Sequence, residues 1–478
     1  MAVARLKFLN EDEIDLIDRM SIECLESIGV KVKSDGVLRM LKDAGAEVDE
    51  KSQVAQLPEE MVRGALNTVP RQLTLHGRDS RNDMRIPATS WPYVGTSGLA
   101  TFVVDIGTGE KRDPTVKDIA DIVKVADALD GADYIQTSLT AMDMPEQTHG
   151  LHELWTAFQN TTKHVQGVEI FNAEDARMQV ELGALVAGGK DELMKKPHFT
   201  VIHCSIAPLM FERDAVEAMV EFAKAGVPIT TMSMSLSGGT APVTLAGTLV
   251  NANSENLASF VIAQTANNGA RTIYCSSSTP VDMKTGMIHY QSANQPLIAA
   301  GLAQMAQSYG LPCMVGDWGL NDLPEPGFPH TFSETMGIAL STMSGSDMQG
   351  GIGSLDNAKG MALEQEVIDA YVWENVRMQM TRFEISEATA ALDVIRQVGH
   401  GNTFLTNIHT ARNFKREVIQ RDTSKARFEK TQSSEMVSEA REIALHILKD
   451  HEVPSLDRSV LEEGDRLIRE HEKRLLKP

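Results

Sequence analysis

Five aromatic rings, Trp91, Tyr93, Tyr274, Trp318 and Phe332, fall beside short β-like runs in a chain that is only 5% aromatic. A ring face attracts a desolvated cation, so several rings around one space suit a quaternary ammonium, whereas any one of them suits ordinary core packing. The same runs end in small polar residues: Thr96 and Ser97, Thr137 and Thr140, His203 and Ser205, Ser276 to Ser278, Met348 and Gln349. Other chemistries find no motif. The sequence has no GxxxxGK[ST] loop, GxGxxG or HExxH. The serines of SMSLSGG (233–239) read as hydrogen-bonded strand-end groups, not as a nucleophile elbow. His203 and Cys204 are adjacent in a predicted strand and face opposite sides, so they do not share an ion, and no metal site is expected.

These residues need a scaffold. From about residue 92 the chain alternates short β-like runs with 15 to 25 residues of helical pattern. The runs are YVGTSG (93–98), DYIQTSLT (133–140), KHVQGVEI (163–170), FTVIHCSI (199–206), PITTMSMS (228–235), RTIYCSSS (271–278), PCMVGDWG (312–319) and SGSDMQGG (344–351). Eight strands alternating with helices predict an α/β fold, a (β/α)₈ TIM barrel, with a doubly wound open sheet as the alternative. In such a barrel the ligand site lies at the C-terminal ends of the strands. Residues 1–91 read as a mostly helical preface with a short β excursion at RQLTLHGRDSRNDMRIP, and a hairpin is expected near 99–112. The barrel is expected over 92–360, and 361–478 as a charged helical extension packed on it.

Composition narrows the partners. Asp and Glu outnumber Lys and Arg by 66 to 45, and the net charge of −21 repels nucleic acid and anionic membranes. Cys24, Cys204, Cys275 and Cys313 include no CxxC pair and read as reduced thiols. With neither a signal-peptide core nor an apolar run of about 18 residues, a cytoplasmic location is expected.

Three blocks carry a specific resemblance: GTGEKRDPTVKDIADIVKVADAL (107–129), SLSGGTAPVTLAGTLVNANSENLASFVIAQTANNGA (235–270), with Glu255 eleven residues beyond Thr244, and VGHGNTFLTNIHTARNFKREV (398–418). Together they resemble the trimethylamine methyltransferase superfamily, from about residue 10 to the C-terminus. The resemblance implies a (β/α)₈ barrel that passes a methyl group from a methylated amine to the cobalt of a separate corrinoid protein. The founding enzyme carries pyrrolysine. This sequence has only the twenty standard residues and so resembles the non-pyrrolysine branch, several members of which demethylate glycine betaine, proline betaine or carnitine. It therefore implies a quaternary amine donor, glycine betaine first, a corrinoid carried by a cognate partner protein, and no cofactor bound by this chain. A homo-oligomer is expected.

A quaternary amine departs neutral when Co(I) attacks its methyl carbon, so no acid is required, and the enzyme's task is to position the carbon and exclude water. On that reading Asp317, Glu334 and Asp347 are candidates to complement the cation, and His203, His330, Gln349 and Ser276 to donate to a substrate carboxylate. Each reads as well as a satisfied core or cap group. The Gly-Gly pair after the fifth strand assigns Ser237, Gly238, Gly239 and Thr240 to a corrinoid-facing surface, or else to a tight turn. Two other functions compete: a betaine-binding barrel without catalysis, and a Schiff-base lyase, which no lysine at a predicted strand end supports.

Overall fold

The computed structural model describes residues 6–288, 290, 292–317, 323–327, 338–340, 342–379, 383–417 and 433–475. Eight parallel strands close into one barrel in chain order: β1 (Tyr93–Thr96), β2 (Tyr134–Gln136), β3 (His164–Gly167), β4 (Phe199–Cys204), β5 (Ile229–Ser233), β6 (Thr272–Ser276), β7 (Cys313–Asp317) and β8 (Met348–Ile352). The barrel closes where β8 pairs with β1. Seven of the eight runs read from the sequence contain one of these strands whole, and the eighth, 344–351, covers β8 except Ile352. Six helices follow the first six strands: α1 (Val116–Ala128), α2 (His149–Asn160), α3 (Ala173–Ala187), α4 (Arg213–Ala225), α5 (Leu245–Ala266) and α6 (Gln295–Ser308).

Local chemistry sets the helix ends. Thr115 and Asp118 form a capping box at the start of α1, satisfying amides that lack an intrahelical partner. Asn172 caps α3 by accepting from the Glu174 and Asp175 amides, and α3 stops at Gly188, whose left-handed φ of +86° suits glycine. Helix α5 is buried on nearly all sides, because the helices Glu11–Ser27 and Glu59–Thr68 of the preface cover the face turned away from the barrel. That explains its even mix of small, apolar and amide residues in place of a single apolar stripe.

Side chains alternate along each strand between the barrel interior and the helix layer. Tyr134, Ile273, Cys275, Met314 and Met348 fill the interior, with Tyr93 and Met232 packed against them. The antiparallel hairpin of Leu73–Leu75 and Met84–Ile86 adds Leu73, Leu75, Met84 and Ile86 to the same cluster and plugs the barrel where the strands begin. This is the β excursion read from the sequence. The expected hairpin near 99–112 is the pairing of Phe102–Val104 with Lys111–Arg112.

The preface is less purely helical than its periodicity suggests. It contains the strands Val30–Val32, Glu47–Asp49 and Val54–Gln56, and Val30–Val32 pairs in parallel with Met210–Phe211 beyond β4. Three-residue strands are too short to display an alternation of two. The chain start is also tied to the far side of the fold. Gln304 of α6 accepts from the Phe8 and Leu9 amides at 2.6 and 2.7 Å and donates to the Leu9 carbonyl at 3.1 Å. At the other end, helix Arg458–Leu475 lies against α2, with Trp155 Nε1 donating to Asp465 at 2.9 Å. Among the described residues no helix is long and apolar enough to cross a membrane.

Candidate active site

At the C-terminal ends of the strands lies a cavity of about 230 Å³. That is the scale of a small organic molecule. Its wall comes from many strands: Ser97 to Leu99 after β1, Gln136 in β2, Met232 and Met234 in and after β5, Ser277 after β6, Met314 in β7, and Gly350 and Gly351 in β8, with Tyr290 and Ala358 completing the rim. The wall is therefore thioether, hydroxyl, carboxamide and one phenol ring, with no Asp, Glu, Lys or Arg among its described residues.

Gln136 reaches into this space because its neighbours have no side chains. A Cβ on Gly350 would overlap Gln136 Nε2, and one on Gly98 would stand 3.0 Å from its Oε1. Below it Tyr134 fills the barrel axis, donating from its hydroxyl to the Gln349 carbonyl at 2.9 Å, and forms the floor. The floor ring in turn requires Gly95, where a Cβ would stand 2.6 Å from Tyr134.

The β5 side is fixed by a buried carboxylate. Glu255 of α5, fully buried, accepts four hydrogen bonds: from Ser205 and Ser233 hydroxyls at 2.7 Å each, the Leu209 amide at 2.9 Å, and Asn251 Nδ2 at 3.0 Å. Asn251 also donates to Ser235 at 2.8 Å, and the Ser235 amide donates to Ser278 at 2.9 Å. The ends of β4, β5 and β6 are thus held at one height, and Met232 and Met234 project into the cavity from backbone locked on both sides. A buried charge with its lone pairs satisfied is compatible with a stable core. Here the sequence block containing Glu255 acquires a physical role: it positions the wall without touching the space.

The glycine pair makes a tight turn. Leu236–Ser237 pairs with Thr279–Pro280. The Leu236 carbonyl then accepts from the Gly239, Thr240 and Ala241 amides at 2.8 to 3.0 Å, while Thr240 Oγ1 accepts from the Leu236 amide at 3.0 Å. Gly238 has φ +85°, which a side chain would strain. Ser237 donates to the Val243 carbonyl at 3.0 Å. Beside this turn stand Val243, 68% exposed, and Met283, 73% exposed.

The other candidates lie in three places. Trp91, Tyr93 and Asp347 are at the entry ends of β1 and β8, opposite the cavity. Asp347 ties that end together, accepting from the Ala88 and Cys313 amides at 2.7 and 2.8 Å. Tyr93 accepts from the Arg85 amide at 3.3 Å, and the Arg377 guanidinium sits 5.8 Å from the Trp91 ring. His203, Tyr274, Ser276 and Gln349 occupy the strand positions that alternate with the interior ones. Tyr274 packs on Phe260 and donates to Asn253 at 3.0 Å. Ser276 donates to Ser278 and to the Ser233 carbonyl, and Gln349 is in register with Val94 of the helix-packed core. His203 stacks on Phe211 at 6.0 Å, and neither ring nitrogen has a hydrogen-bond partner among the described residues. Burial lowers its pKa to about 4, so it is neutral. Asp317 ends β7, but its side chain, with Trp318, His330, Phe332 and Glu334, falls outside the described residues.

Cys204, in register with Met232, is accessible at the mouth, and the surrounding protein and then Glu255 push its thiol up to about 11, which favours the protonated form. Gln136, Tyr290 and Met314 line the cavity without having been singled out as site residues in the sequence. The alternation of Tyr134 and Gln136 in DYIQTSLT carries the information for Gln136 once one interior residue of that strand is known.

A family model described as trimethylamine methyltransferase (MTTB) matches residues 1–475. The trimethylamine methyltransferase MttB of Methanosarcina barkeri is 31% identical over 475 residues, covering 97% of this chain and 94% of that protein. A glycine betaine methyltransferase of Desulfitobacterium hafniense is 29% identical over 419 residues, covering 86% and 85%. Among solved structures, the monomethylamine methyltransferase MtmB of Methanosarcina barkeri superposes with a TM-score of 0.54 at 13% identity, covering 97% of this chain and 90% of that one, a likeness of fold.

Proposed function

The chain belongs to the trimethylamine methyltransferase family, and from that membership we propose that it moves a methyl group from a small quaternary amine, glycine betaine first, to the Co(I) of a corrinoid carried by a separate protein. The observation that carries the reading is the composition of the cavity wall. Thioethers of Met232, Met234 and Met314 with the Tyr290 ring offer polarizable surface to N-methyl groups. Ser97, Ser277 and Gln136 offer hydrogen-bond donors to a carboxylate. The likeness to a glycine betaine methyltransferase supports the same donor class.

The acceptor supplies the nucleophile, and the chain's residues bind, orient and keep the reacting carbon dry. A neutral tertiary amine leaves, so the reaction asks no proton of the wall. The chain itself is assigned no resident cofactor. The exposed apolar surface of Val243 and Met283 beside the Gly238 turn fits a partner's approach from above the mouth.

The test is to incubate the protein with reduced cobalamin and, in turn, glycine betaine, proline betaine, carnitine and trimethylamine, following Co(I) loss and methylcobalamin formation. Turnover of a quaternary amine with little of trimethylamine is the expected result, since trimethylamine can be protonated and nothing in the described wall activates it. Rapid turnover of trimethylamine alone would reverse the assignment, and betaine binding without any methylcobalamin would leave a binding protein.

A further inference from the structure

Away from the cavity, at the rim of the barrel, His149 and Glu153 stand one turn apart on the first turns of α2, and Glu169 lies two residues beyond β3. One ligand atom from each of the three lies within 4.8 Å of the others. Residues four apart share a helix face, so the local fold presents the imidazole and a carboxylate together toward the strand end.

The donor atoms are already oriented. His149 Nε2 is 3.0 Å from the Met144 carbonyl, which can only accept, so that nitrogen carries a hydrogen and Nδ1 is the ring atom left to ligate. Such a carbonyl partner commonly fixes a ligating histidine. Nδ1 and Glu169 Oε1 are 4.0 Å apart, too far for a hydrogen bond, and an ion between them would bridge the gap. Glu153 is fully buried; its Oε1 accepts from the Ala141 amide at 3.1 Å, while its Oε2 has no partner among the described residues. Glu169 Oε2 is likewise buried without a partner. Electron-rich atoms converge here, and among the described residues no Lys or Arg pairs with any of the three.

We propose that His149, Glu153 and Glu169 bind one divalent ion of the zinc class, tying the loop after β2, the start of α2 and the end of β3 into a single rim. One imidazole with two carboxylates is a zinc-like donor set, with water in the fourth position, whereas calcium and magnesium favour all-oxygen sites. Ligand bonds of about 2.1 Å place tetrahedral donors roughly 3.4 Å apart, so the three side chains need only draw inward. The rival occupant is a proton shared by the two carboxyl groups, which face each other.

Full-length protein stripped with a chelator and titrated with Zn²⁺ by calorimetry, with metal content measured after dialysis, decides between them. The expected result is one zinc per chain, released protons, and affinity lower by at least about 100-fold in Glu153→Gln and in the half-buried Glu169→Gln. Excess Mg²⁺ should not displace the ion. No zinc uptake by the wild type, or uptake by both variants equal to the wild type's, overturns the site; a Glu153→Gln protein more stable than a metal-free wild type would then identify the shared proton.

Discussion

Glu255 is a charge whose cost of burial is offset by four donors, and its replacements separate the charge from the hydrogen bonds. Glu255→Ala strands the Ser205, Ser233, Leu209 and Asn251 donors and should destabilise by about 3 kcal/mol or more, read by urea unfolding. Glu255→Gln keeps an oxygen toward Leu209 and Asn251 and turns its amide toward two hydroxyls that can rotate to accept; a loss of about 1 kcal/mol is expected. His203 gives a pH signature. Its folded pKa of about 4 lies below the ordinary 6.5. Between those values the unfolded chain takes up a proton that the folded one refuses. Its contribution is thus complete above pH 6.5 and is lost as pH falls toward 4, by up to about 3 kcal/mol. His203→Leu should remove that part of the acid slope, seen as wild type minus variant, while His164 and the buried carboxyls cancel. The residue scale was also where the sequence spoke least. A strand-end histidine or tyrosine is visible as letters, yet whether it faces the axis or the helices depends on a parity that one letter string does not fix. Likewise Tyr93 opens β1 and Asp347 precedes β8, which places both at the plugged end.

At the scale of elements the sequence was far more legible. Strands buried on both faces read as short runs ending in small or polar residues, most of them with β-branched positions, and all eight appear in the barrel where they were read. The three-residue strands of the preface left no comparable mark. What joins elements into a site is side-chain size at their crossing points, as where Gly350 of β8 meets Gln136 of β2. Gly350→Ala puts a methyl where Gln136 Nε2 now lies, so the carboxamide must swing out of the wall. On the proposed function, KM for the quaternary amine should rise roughly tenfold, the worth of one hydrogen bond to a charged group, with kcat changed less. Steady-state kinetics check this, and unaltered KM in a folded variant would remove Gln136 from the substrate wall.

Across the whole molecule the two ends of the barrel have separate work. One end is stoppered by the Leu73–Leu75 and Met84–Ile86 hairpin, and the other holds the cavity. Leu75→Ala should lower stability by about 2–5 kcal/mol, as a fully buried leucine does when truncated, yet leave KM unchanged, since it opens space at the far end. Thermal unfolding beside kinetics would show the two effects apart. The Gln304 clamp bears on how such a chain comes into being on a ribosome. Phe8 finds its partner 296 residues later, and at about 5–20 residues per second that is roughly 15–60 s of synthesis during which the leading segment has no Gln304 to dock on. Until α5 and then α6 are made, the helix Glu11–Ser27 exposes the apolar face meant for them, so the nascent preface carries surface that the finished barrel hides.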